Sequence, residues 1–352
     1  MKFLYLASSR VEYSVNGVYI SGLIQNNVDI VSYAAVDKGF RKFINIAKFY
    51  FENRQGADLI IVGDDSPEIV NFLFFLTRKK IVYNALCSVY ERLVVSRNKT
   101  SLFSPKAIYY WLLDFLACRF AAVVMLESAH QIQYFKHLFW LSAKKSFLAW
   151  TGVDEKNYFY NSDLKKFDDF TVIFRGRLLP EAGGEVIVRA AKLLEGSNIK
   201  VLMHSFGLEL EKIKKIIEEL KPSNFVLITD FLPIEQVRET MQKSHLSLGQ
   251  LSSHDRLQRT IPHKAYESLA LKLPYLTARN PAVLELLEDG KTCLTFNPGD
   301  EKDLADKIIW AKDNVKNLDE IAQNGYEFFV ENLTSKVLAK KLIDRLKNNK
   351  II

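Results

Sequence analysis

The chain reads as an α/β protein built from two doubly wound domains. Its 352 residues are about twice the usual domain size. Short apolar runs alternate with helical patterns along the whole length, as parallel strands with crossover helices do. The series of runs also restarts after a polar interval near residues 160–169.

The first series opens at Phe3 to Ala7, a run too short for the apolar region of a signal peptide and therefore taken as a first strand. Further strands are expected at Val28 to Ser32, Asp58 to Val62 and Lys80 to Asn84. Ala107 to Leu126 has the length of a membrane span but contains Asp114 and Arg119, each opposing insertion by about 2.5 to 3.5 kcal/mol. It divides better into a helix and a buried strand, Ala121 to Leu126. Phe147 to Trp150 closes the series. Thr151 to Phe159 and the polar Tyr160 to Asp169 have little apolar periodicity and read as an interdomain linker.

The second series is Thr171 to Phe174, Lys200 to His204, Phe225 to Ile228, Leu246 to Gly249, Tyr275 to Ala278 and Cys293 to Phe296. Leu208 to Leu220 is a helix with a buried stripe among charged residues. Leu318 to Leu346 is helical, with a break near Asn332. The expected division is residues 1–160 and 161–330 for the two domains, and 331–352 for a terminal helix packing back on the first domain.

The net charge is +7, and all of the excess lies early: residues 1–150 hold 18 basic and 11 acidic side chains, residues 151–352 hold 30 of each. A basic half attracts anionic lipid, lipid-linked diphosphate or nucleic acid. No nucleic-acid motif accompanies it. Cys87, Cys118 and Cys293 are widely spaced and odd in number, which points to neither disulfides nor zinc. His130, His137 and His204 have no metal spacing and are assigned structural roles. Phe72, Phe74, Phe75 and Arg78-Lys79-Lys80, with Phe135, Phe139, Trp140 and Lys144-Lys145, suit an interfacial surface. Most of these aromatics are nonetheless assigned to the core.

Ligands of doubly wound sheets sit beyond the carboxyl ends of the strands. The residues there include Asp64, Asp65, Asn84, Arg177 and Gly249. Thr171-Val-Ile-Phe-Arg-Gly-Arg177 is an apolar strand ending in glycine and two arginines. Arg259-Thr-Ile-Pro-His-Lys264-Ala-Tyr-Glu267 is a helix start, with Thr260 as N-cap and Pro262 in the first turn. His263 and Lys264 oppose the dipole there and ask for an anion. Cations at strand ends and helix starts suit a diphosphate, and Glu267 suits a ribose.

At these residues the chain resembles the GT-B glycosyltransferases, and among them the large retaining family numbered four, also called group 1. The resemblance rests on Gly152-Val-Asp-Glu, Phe174-Arg-Gly-Arg-Leu, Thr229-Asp-Phe-Leu-Pro, Lys264-Ala-Tyr-Glu267 with Leu273-Pro274, and the stretch from Leu286 to Asp300. Segments at Val82 to Tyr90 and Ala143 to Asp154 are similar to bacterial polysaccharide-building members. The resemblance implies two Rossmann-like domains facing across a cleft, and donor contacts from Arg175, Arg177, Gly249, Arg259, His263, Lys264 and Glu267. It also implies a glycine loop carrying Gly17 near the donor phosphates, followed by Gly22. Asp64, Asp65 and Asn84 fall on the acceptor side.

Two departures concern charge. The family's lysine after Gly-Arg is replaced by Ala182 and Gly183, and the first of its two glutamates by Arg259. Arg175, Arg259 or Lys264 is expected to restore the missing cation, because a point charge need not come from one fixed sequence position.

The expected function is that of a hexosyltransferase-like enzyme moving a sugar from a UDP- or GDP-linked donor to a saccharide or lipid-linked saccharide during surface polysaccharide or glycan assembly. The resemblance implies retention of configuration, no cofactor and no essential metal, with Arg177 and Lys264 as the catalytic cations. The expected place is the cytoplasm, peripheral on the inner face of an anionic plasma membrane. One alternative is a catalytically weak or inactive GT-B scaffold binding a nucleotide sugar, glycan or partner enzyme. Another is a nucleotide-sugar epimerase.

Overall fold

The computed structural model describes residues 1–11, 14–63, 66–97 and 100–352. It divides into two units, Met1–Asp154 with Leu333–Ile352, and Glu155–Asn332.

The first unit begins β1 (Lys2–Ala7), α1 (Ser14–Gln25), β2 (Asp29–Ala34), α2 (Phe40–Asn53) and β3 (Leu59–Val62). It continues with α3 (Pro67–Leu76), β4 (Lys80–Leu86), α4 (Pro105–Phe120), β5 (Val123–Leu126), α5 (Ala129–Phe139) and β6 (Ser146–Leu148). The strands form one parallel sheet ordered β2-β1-β3-β4-β5-β6. β1, β3 and β5 are buried on both faces, which is why they read as unbroken apolar runs, while the edge strand β2 keeps polar and half-exposed positions.

The second unit begins β7 (Phe170–Arg177), α6 (Gly184–Leu193), β8 (Ile199–Phe206), α7 (Leu210–Leu220), β9 (Phe225–Ile228), α8 (Ile234–Lys243) and β10 (Leu246–Leu248). Next come α9 (His263–Ala270), β11 (Tyr275–Ala278), α10 (Pro281–Leu286), β12 (Leu294–Phe296), α11 (Glu301–Asp313) and α12 (Val315–Asn332). Its parallel sheet is ordered β12-β11-β10-β7-β8-β9. β7 lies centrally between β10 and β8, with Leu248 beside Phe174 and His204 beside Arg175. That position sets the arginine-bearing end of β7 beside the helix that follows β10.

The last helix, α13 (Ser335–Asn348), belongs to the first unit and packs on α1. Gly22 makes the approach possible: a methyl group there would lie 1.9 Å from the Ser335 carbonyl oxygen. Gln25 Nε2 donates to Ser335 Oγ (3.1 Å), Asn26 Nδ2 to Lys336 O (2.9 Å), and Arg345 Nη2 to Lys144 O and Ser146 O (3.1 Å each).

The stretch read as a linker is strapped onto α8 and the residues after it. Gln242 takes a bond from Asn161 N (2.8 Å) and gives one to Phe159 O (3.1 Å). Phe167 N donates to Lys243 O, and Lys166 Nζ to Ser244 O. Polar bonds hold this strap, so it has no apolar period to betray it. Ala107 to Leu126 divides into α4 and β5, with Asp114 buried and accepting from Ser88 Oγ (2.7 Å) and Tyr90 N (2.9 Å).

Candidate functional site

β7 runs three residues past its last apolar side chain because Arg175, Gly176 and Arg177 stay paired with His204, Ser205 and Phe206 of β8. Gly176 holds φ at +141°, a region that side chains rarely adopt. A methyl group at Gly176 would lie 2.9 Å from both Cε and Nζ of Lys264. The glycine therefore gives the lysine its seat.

Lys264 comes from the first turn of α9, whose N-cap is Pro262 rather than Thr260, without a side-chain cap bond. Ser268 Oγ ties the helix down, donating to Lys264 O (2.7 Å) and pairing with the Ser247 hydroxyl of β10 (2.9 Å). The ammonium lies 4.6 Å from the centroid of the Phe174 ring. It is buried, and no carboxylate forms an ion pair with it among the described residues. Burial pulls its pKa down from the ordinary 10.5 to about 8; the Glu267 and Glu181 carboxylates oppose that fall, and Arg175 adds to it.

One turn along α9, Glu267 accepts a hydrogen bond at Oε1 from Arg175 Nη1, 2.8 Å away. That carboxylate pushes the Arg175 guanidinium above its ordinary range. Oε2 of Glu267 is buried without a hydrogen-bond partner among the described residues. A buried lone pair of this kind is destabilising unless a donor arrives. The cluster thus presents one unpaired buried cation and one unused carboxylate oxygen at the carboxyl end of the central strand.

Arg175, Lys264 and Glu267 are brought together; the other expected donor residues have different surroundings. Residues 175 and 177 would share a face of a regular strand, but Gly176 intervenes and they take different partners. Arg177 is exposed, its guanidinium 5.7 Å from the Phe206 ring. Arg259 forms an ion pair with Asp255 at 2.6 Å, so its charge is met locally. His263 stands edge-on to Tyr266. Gly249 has a packing reason, since a methyl there would meet Tyr275 Oη at 2.3 Å and Thr277 Oγ1 at 2.4 Å.

Gly17 corrects the glycine-loop expectation, because it lies inside α1. Asn84 is buried in β4 with Nδ2 unpartnered, while Asp64 and Asp65 lie outside the described residues. Ala182, where the family has its lysine, is fully buried in a short 3-10 turn, Pro180–Ala182. Its neighbour Glu181 pairs with Arg256 at 3.2 Å, a contact across 75 residues that leaves no local trace in the sequence. Phe174 and Gly176, the platform and seat of Lys264, were also missed. Their signal was the Phe-Arg-Gly-Arg strand end itself.

Two cavities, of about 610 and 680 Å³, open elsewhere in this unit: at the amino ends of β7, β10 and β11, and against α10 and α12. Neither is lined by Lys264 or Glu267.

The family model described as glycosyl transferases group 1 matches residues 159–328. These residues are a group 1 glycosyl transferase domain. A probable sucrose-phosphate synthase from Thermosipho melanesiensis is 26% identical over 216 residues, covering 59% of this chain. That alignment takes in 48% of the synthase, so the chain spans about half the length of the curated relative it matches. Anabaena HepE, solved in complex with UDP and glucose, is similar with a TM-score of 0.75 at 15% identity, over 99% of this chain and 100% of that one. Sucrose-phosphate synthase from Thermosynechococcus elongatus is similar with a TM-score of 0.76 at 14% identity, over 99% of each chain. At these identities the structures show the fold, and that fold is the α/β GT-B fold of two parallel six-stranded sheets.

Proposed function

We propose that the chain moves a sugar from a nucleotide-sugar donor to a saccharide or lipid-linked saccharide acceptor, with retention of configuration, in the assembly of surface polysaccharide or another glycan. The observation that carries this reading is the buried Lys264 ammonium, held against the Gly176 backbone without an anionic partner among the described residues. A diphosphate supplies that partner. As the sugar bond breaks, negative charge grows on the departing diphosphate, and a cation already fixed in a dry site stabilises it without further reorganisation.

In this reading Lys264, joined by Arg177, takes the charge that the family's missing lysine takes elsewhere, and no metal ion is required. Glu267 offers Oε2 to the ribose hydroxyls while Arg175 holds Oε1. Arg259 and His263 contribute to donor binding, and Asn84, Asp64 and Asp65 to acceptor binding. UDP is the favoured nucleotide, since HepE was solved with UDP and with UDP-glucose. The enzyme works at the inner face of an anionic membrane.

The test is thermal stabilisation by UDP, GDP and their common sugars, followed by product analysis with saccharide acceptors. Selective stabilisation that is lost in Lys264→Met and Glu267→Gln, together with transfer of the sugar, is the expected result. Ala182 and the locally paired Arg259 favour one competing reading, a scaffold that binds donor without turning it over. Intact nucleotide binding without hydrolysis or transfer would establish that scaffold and overturn the enzymatic reading. No response to any nucleotide would remove the donor site altogether.

A further inference from the structure

α4 carries apolar side chains on both faces: Trp111, Phe115 and Phe120 are half-buried against the core of the first unit. Its buried positions are Ala107, Asp114, Ala117 and Cys118, three small residues and an acid. Its outward positions are large and apolar: Ile108 is 61% exposed, and Tyr109 and Leu112 are exposed beside it at helical spacing. Such a helix gains nothing from water on that face. Phe103, just before the Ser104 N-cap, sits where a hydrophobic staple to Ile108 is usual. Yet Phe103 is 92% exposed, so a staple covers little of it.

The exposed apolar surface continues to the far end of the helix through ring contacts. Phe120 stacks on Phe74 at 3.8 Å and meets the 81% exposed Phe75 edge-on. Phe115 meets Trp140 edge-on at 5.7 Å and carries Arg119 over its face. Of the aromatics singled out in the sequence, Phe135 and Phe139 are core, whereas Phe74, Phe75 and Trp140 are surface.

Cations bracket this stripe. Lys106 is exposed at its start, and Arg78, Lys80, Arg119 and Lys144 are exposed toward its end. With α13 included, the first unit holds 24 basic and 13 acidic side chains, a net charge of +11, against −4 for the second unit. Two copies of this face meeting each other would set like charges together, whereas an anionic bilayer complements it.

We propose that α4 lies in the headgroup boundary of an anionic bilayer, parallel to its plane, with Phe103, Ile108, Leu112, Phe75 and Trp140 reaching the acyl region. No helix among the described residues is long and apolar enough to cross a membrane, and α4, with 16 residues, rests on it. The start of α4 follows the carboxyl end of β4, where Asn84 stands, so this seating brings the acceptor edge of the first unit to the bilayer surface. The inference rests on the membrane contact proposed above and names the surface that makes it.

The experiment is co-sedimentation of the full chain with phosphatidylcholine vesicles, with and without phosphatidylglycerol, at low and high salt. Ile108→Glu/Leu112→Glu is compared with the native chain, and urea unfolding checks that exposed substitutions leave the fold intact. UDP-dependent thermal stabilisation is followed in parallel, so that a failed donor site and a failed docking face are told apart. The expected result is binding to the anionic vesicles, weaker at high salt, and reduced roughly tenfold or more in the variant. Absence of binding to anionic vesicles at low salt overturns the proposal, as does a variant that binds like the native chain. A native dimer that the variant splits, without vesicle binding, also overturns it and assigns the face to a second copy.

Discussion

Arg175 and Glu267 are 92 positions apart in the chain and 2.8 Å apart in the fold. The arginine belongs to the end of β7 and the glutamate to the second turn of α9. Their bond holds the carboxylate so that only one oxygen, Oε2, remains for a ligand. Arg175 was expected among the donor-phosphate cations, but its charge is already engaged. We propose that it positions Glu267.

Arg175→Met then leaves a buried carboxylate unpaired. The expected destabilisation is about 2 kcal/mol, below that of a fully buried pair because the arginine side chain keeps 30% of its surface in water. Arg175→Met/Glu267→Gln should regain most of that stability in urea unfolding while still failing to bind UDP. A double variant as unstable as the single one would show that Arg175 acts through packing and not through the pair.

Lys264→Met separates stability from binding. An ammonium whose pKa is pulled down to about 8 by burial opposes folding at neutral pH, and a methionine of similar length does not. The ligand-free protein should gain about 2 kcal/mol and roughly 4 to 6 °C in Tm. Stabilisation by UDP should shrink to a small remainder in the same variant. A Tm that falls together with the UDP response would mean that the lysine is a structural member of the core.

The strands were legible as apolar runs: Tyr275 to Ala278 coincides with β11, which is buried on both faces, and Phe225 to Ile228 with the half-exposed edge strand β9. β7 was read three residues short because Arg175, Gly176 and Arg177 are strand only by pairing with β8, and pairing is non-local. The same limit hid the Glu181–Arg256 contact and the seat of Lys264. Apolar runs likewise do not say which way they face. Phe139 is core and the adjacent Trp140 is surface, because Trp140 closes α5 in a left-handed conformation.

Gly22→Ala tests the attachment of the last helix. The added methyl would overlap the Ser335 carbonyl, which is backbone and has nowhere to turn, so α1 and α13 must separate. A loss of about 3 kcal/mol is expected, with faster exchange of amide protons in Ser335–Asn348. The Lys264 cluster lies in the other unit, so UDP affinity should change by less than about twofold. A large loss of UDP affinity would show that the two units are coupled through α13.

The titration of Lys264 gives the pH dependence a definite sign. Unfolded, the amine keeps its proton up to its ordinary 10.5; folded, it releases it near 8. Between those values unfolding takes up a proton, so the contribution of this residue to stability rises with pH, and below 8 its full opposition to folding is present. Binding of a diphosphate runs the other way, because it needs the ammonium. UDP affinity should hold steady from pH 7 to about 8 and then fall by up to about tenfold per unit. Isothermal titration across that range is the measurement, with Lys264→Met as the control whose weak residual affinity stays flat. A native chain that binds UDP equally well at pH 7 and well above 8 would place the diphosphate away from Lys264 and leave Arg177 as its cation.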